Sequence, residues 1–79
     1  MIMNKKDYLI ITFEETTMAL YMERVCKEEK KDGRIIPLPK EIDAGCGLAW
    51  ATVCKDKEEW KIFLNQKHID YSKMEELIL

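Results

Sequence analysis

The run Tyr8-Leu9-Ile10-Ile11-Thr12-Phe13 constrains this chain more than any other segment. It is unbroken, apolar and rich in β-branched and aromatic side chains, and it is too short for a helix that must bury itself. It therefore reads as a central strand. A central strand needs neighbours and a covering layer, and a chain of 79 residues has material for one domain, 1–79, and no second core. Residues 1–7, ahead of the strand, read as a disordered or loosely ordered extension. With 47% apolar and 35% charged residues the rest has the balance of a small globule, since a disordered tail would carry far fewer apolar side chains.

After the strand the period changes. From about Thr17 to Lys31, the residues Met18, Met22, Val25 and Cys26, with Ala19 at the edge, fall within an arc of about 120° at 100° per residue. This predicts a helix with Thr16 as N-cap, Glu14 and Glu15 at its positive end, and Lys27, Lys30 and Lys31 at its negative end. Gly33 stands where a left-handed C-terminal residue belongs. Arg34-Ile35-Ile36-Pro37-Leu38 reads as an edge strand, because proline cannot donate to a ladder. Gly47 to Val53 reads as a third strand after a turn at Asp43-Ala44-Gly45-Cys46-Gly47. Asp56 with Glu59 resembles a capping box, and Trp60, Phe63 and Leu64 share one face of the helix that follows, to about Gln66. Met74 to Leu79 fits a last strand, although Ser72 with Glu75 also resembles a helix start. The expected architecture is α+β, a ferredoxin-like split βαβ (βαββαβ) with two helices on one face of an antiparallel sheet.

Charge and motif content remove several function classes. Thirteen basic against fifteen acidic residues give a net charge of −2, which argues against nucleic acid as the main partner. No apolar run approaches the roughly 20 residues that cross a bilayer, and the start lacks the apolar stretch of a secretory signal, so the expected location is cytoplasmic. Neither a Walker loop nor G-x-G-x-x-G is present, and one histidine with three scattered cysteines cannot supply four zinc ligands. No cofactor and no metal are expected.

The three cysteines, Cys26, Cys46 and Cys54, form an odd set without a C-x-x-C pair, which suits free thiols in a reducing compartment. Cys26 lies on the apolar stripe of the first helix and reads as core. Cys54 closes the third strand. Eight residues from Cys46, at about 3.3 Å each, it belongs to the opposite end of the sheet, too far for a disulfide or a shared metal. Cys46 stands between Gly45 and Gly47, so its sulfur is approachable and neighbouring amides can turn toward it. The first helix begins nearby, with Thr16 and Thr17 as donors that favour a thiolate or bound anion, while Glu14 and Glu15 oppose this. A tight hairpin with an incidental cysteine is the plain alternative. Arg34 and Lys40 flank the proline segment as anion contacts or as solvated surface charges, and Trp50 and Trp60 read as core. His68 falls at the Cys46 end, either as a partner for that thiol or as an exposed loop residue.

Tyr8 to Glu14, Thr16-Thr17-Met18-Ala19-Leu20 with Glu23, the Pro37-Leu38-Pro39 segment, and above all Ile42-Asp43-Ala44-Gly45-Cys46-Gly47-Leu48-Ala49 resemble the selenium/sulfur carrier protein-like family, over roughly Tyr8 to Phe63. The resemblance implies a carrier or accessory protein rather than an enzyme. Cys46 would hold a persulfide or selenosulfide, taken from a cysteine desulfurase-like donor and passed to an acceptor enzyme. Gly45, Gly47, Thr16, Thr17 and Arg34 are the expected binding residues around it. The competing reading is a small regulatory or interaction module that pairs through its open sheet face or edges, as a homodimer, with Cys46 only a turn residue.

Overall fold

The apolar strand sits inside the sheet because partners are available to it on both sides. In the computed structural model, which describes residues 6–42, 45–53 and 55–79, β1 (Asp7–Thr12) pairs antiparallel with β3 (Leu48–Thr52) on one side and β4 (Met74–Ile78) on the other. β2 (Arg34–Pro37) pairs with β3, giving the strand order β2-β3-β1-β4. Helices α1 (Thr16–Glu29) and α2 (Lys57–Gln66) complete a β-α-β-β-α-β chain order. β2 is an edge strand, as its proline requires. The tail 74–78 is a strand rather than a helix because Ile10, Leu9 and Tyr8 stand opposite Glu75, Glu76 and Leu77 in register.

Alternation along β1 divides the core. Leu9, Ile11 and Phe13 join Trp50, the α1 residues Ala19, Met22, Val25 and Cys26, and the α2 residues Trp60, Phe63 and Leu64 in one cluster under the helices. Ile10 points to the other face, where Ala49, Ala51 and Ile42 are buried with it, flanked by Tyr8, Ile36, Leu38, Leu77 and Leu79. That face is less open than a sheet with helices on one side suggests. The two alanines leave room for the loop after β2 to turn, with Ile42 N–H donating to the Pro39 carbonyl at 3.0 Å, and to lay Ile42 on the sheet, only 4% exposed.

The ends of α2 match expectation and those of α1 depart from it. Asp56 caps α2, its Oδ1 accepting from the Glu59 amide at 3.1 Å. At α1 the N-cap is Glu15, one residue earlier than Thr16, and no side chain caps it. The left-handed C-terminal residue is Lys30 (φ 56°), not Gly33. Lys30 N–H donates to Lys27 O and Lys31 N–H to Cys26 O, which is the Schellman arrangement. α2 ends the same way, with His68 (φ 57°) left-handed, its N–H donating to Asn65 O, and Ile69 N–H donating to Leu64 O. Gly33 (φ 132°) serves a different need. A Cβ there would collide with the Trp50 indole, so glycine lets the chain pass over that ring.

The expected loose extension 1–7 is corrected at its last two residues. Asp7 opens β1 opposite Ile78, and Lys6 exchanges two backbone hydrogen bonds of 2.9 Å with Leu79 just past the strand ends. Residues 1–5 lie outside the described residues.

Candidate functional site

Cys46 sits on the return limb of the β2–β3 connection, which wraps the end of β1. The outgoing limb leaves Ile42 on one face of the sheet. The returning limb presses Cys46 against the cluster under the helices. The Cys46 amide donates to the Phe13 carbonyl at 3.2 Å, so the residue is tied to the turn between β1 and α1. Its side chain is half-buried, and its Sγ lies 3.6 Å from the Leu48 carbonyl, where the thiol donates. Amides converging on the sulfur were expected from the flanking glycines. Here the Cys46 amide is used by Phe13 and the partner of the sulfur is an acceptor.

The two glycines have separate reasons. A Cβ on Gly45 would come within 2.6 Å of Glu14 Oε2 and 3.2 Å of the Glu14 carbonyl, so that side of Cys46 is packed against the β1–α1 turn. Gly47 has φ 81°, and nothing lies within 4 Å of where its Cβ would be. It answers a backbone demand rather than a close approach. The sequence named both glycines as a means of approach. The close pack of Gly45 on Glu14 was not legible, since it joins residues far apart in the chain.

Thr16 and Thr17 open α1 at this same end, both exposed. Glu14, Glu15 and Met18 line a cavity of about 260 Å³ with Asp70 and Tyr71, so carboxylates dominate the surroundings of the helix start. Arg34 is not brought to Cys46. It opens β2 opposite Ala51, at the far end of the strand from the Cys46 loop, beside Lys6, Tyr8 and Asp32. His68 is exposed, its backbone is engaged in the α2 cap, and no hydrogen bond among the described residues joins it to Cys46. Lys40 is exposed on the loop.

The other cysteines differ sharply. Cys26 is fully buried in the cluster under the helices, and burial pushes its thiol up to about 12, with Lys31 opposing weakly. Cys54, together with Asp43 and Ala44 of the turn, lies outside the described residues. Among the described residues no group of three or more His, Cys, Asp and Glu side chains assembles that could hold a metal ion. No helix among them is long and apolar enough to cross a membrane.

A family model described as "Putative Se/S carrier protein-like" matches residues 8–76, nearly the whole chain. Comparison with curated proteins and with solved structures gave no match.

Proposed function

The chain belongs to the Se/S carrier protein-like family, and from that premise we propose that Cys46 is the atom-carrying residue. It takes up sulfur or selenium as a persulfide or selenosulfide and releases it to an acceptor enzyme. The observation that carries this reading is the contrast between two thiols. Cys26 is sealed in the core, whereas Cys46 is only half-buried and sits on a loop.

The transfer needs no outside oxidant. The Cys46 sulfur attacks the outer sulfur of a donor persulfide, a new S–S bond forms as the donor's own S–S bond breaks, and the donor leaves as a thiol. Cys46-SH and donor-S-SH become Cys46-S-SH and donor-SH, and a selenosulfide donor delivers selenium in the same manner. An acceptor nucleophile then attacks the outer atom and Cys46 is restored. The order of elements and strands supports reading the fold as a ferredoxin-like split βαβ, which leaves the loop end free for a partner to close over.

The test is uptake of one atom. Incubation with a cysteine desulfurase and cysteine is expected to add the mass of one sulfur to the intact protein, removable by a reductant. Cys46→Ser abolishes the added mass and Cys26→Ala keeps it. Retention of the added sulfur by Cys46→Ser would overturn the assignment.

A further inference from the structure

A persulfide has two sulfurs open to attack. A thiol that attacks the outer one leaves with it: Cys46-S-SH and RSH become Cys46-SH and RS-SH. A thiol that attacks the inner one is captured instead, and Cys46-S-SH and RSH become Cys46-S-SR and hydrogen sulfide. The first outcome is transfer and the second loses the cargo. Either substitution needs the nucleophile, the attacked sulfur and the leaving sulfur close to one axis.

The surroundings of Cys46 treat the two sulfurs differently. Its Sγ lies 3.6 Å from the Leu48 carbonyl oxygen, to which the thiol donates. A second sulfur placed along that line, at a bond length of about 2.05 Å, would stand about 1.5 Å from the oxygen, far inside contact. Rotation about Cβ–Sγ therefore has to carry the outer sulfur away from Leu48. The carbonyl then stands behind the inner sulfur, on the side from which an in-line nucleophile must come. The rest of the half-buried side chain packs on the cluster under the helices, and the Cys46 amide, donating to the Phe13 carbonyl at 3.2 Å, holds the residue against this backing. Gly45 and Gly47 on either side are exposed, so solvent lies on the side of the loop away from the cluster.

Resting on the reading of Cys46 as the carrying residue, we propose that its seat decides which sulfur is attacked. The Leu48 carbonyl and the cluster behind Sγ close the in-line path to the inner sulfur, and only the outer atom is passed on. Leu48 is thus a positioning residue that acts through its backbone, and the loaded chain gives its cargo to an incoming nucleophile without shedding it as sulfide.

The products report the choice. In a Cys54→Ala background, the full chain is loaded with inorganic polysulfide, freed of excess reagent, treated with one equivalent of a small thiol, quenched with acid and weighed intact. The folded chain is expected to return the free Cys46 thiol with little mixed disulfide, and the same loaded chain in urea to give several-fold more mixed disulfide. Gly45→Val lifts Cys46 from its backing, because even a Cβ at residue 45 would lie 3.2 Å from the Glu14 carbonyl, and is expected to shift the folded chain toward the mixed disulfide. Mixed disulfide as the main product of the folded parent, an equal split in folded and unfolded chains, or no shift in Gly45→Val would each overturn the proposal. Polysulfide loading bypasses any donor enzyme, so failure of a desulfurase to load Cys46 counts against the carrier reading and not against this one.

Discussion

Cys26 and Cys46 are one side chain in two surroundings, and the difference can be measured through pH. Ionisation of Cys26 in the folded chain is shifted from 9.0 to about 12 by burial, with Lys31 opposing weakly. Between those values the unfolded chain has lost the thiol proton while the folded chain keeps it. Unfolding then releases a proton, and stability falls as pH rises from about 9 toward 12, with no such loss below 9. Urea midpoints across that range are expected to fall less steeply in Cys26→Ala than in the parent. Equal slopes would mean the thiol is not protected. Burial of Cys26 was legible in the sequence because it lies on a helical stripe. The orientation of Cys46 was not, because it depends on a hydrogen bond to Phe13 across the fold.

Among the elements, periodicity carried the assignments and caps carried the errors. Both helices and the first three strands follow from apolar spacing and turn residues, the last strand only from the order of elements it completes, and the edge position of β2 from Pro37. A cap depends on where the backbone leaves helical angles, which side-chain identity constrains weakly. Asp56 was readable because its carboxylate does the capping. Thr16 misled because α1 starts at a Glu15 that caps with nothing. Removing the one side-chain cap tests this weighting. Asp56→Ala is expected to cost about 1 kcal/mol in urea denaturation. A loss near zero would show that packing of Trp60, Phe63 and Leu64 alone fixes the start of α2. Glycine also misled at the other end of α1, where Lys30 takes the left-handed position and Gly33 is spent on Trp50.

For the whole molecule, the decisive feature is a loop that serves both faces of the sheet. Ile42 closes the face opposite the helices and Cys46 packs toward them, so the two are coupled through a few residues of chain. Ile42→Ala is expected to cost about 2–4 kcal/mol and to speed hydrogen exchange at the Cys46 amide ahead of the β1 amides. Unchanged exchange at Cys46 would show that its bond to Phe13 stands without the anchor. Sequence spacing offered no view of this, since an isolated isoleucine in a polar turn has no period. The same burial weakens the case for an open sheet face awaiting a second copy.

The hydrogen bonds between Lys6 and Leu79 bring the two limits of the described chain side by side, and β1 runs six residues from there to the Cys46 end, a span of about 20 Å. The described backbone thus returns to where it starts, with the Cys46 loop at the end of the sheet opposite this seam. A contact made at that seam engages the end of the sheet away from Cys46 and leaves the loop that carries the thiol at the free end.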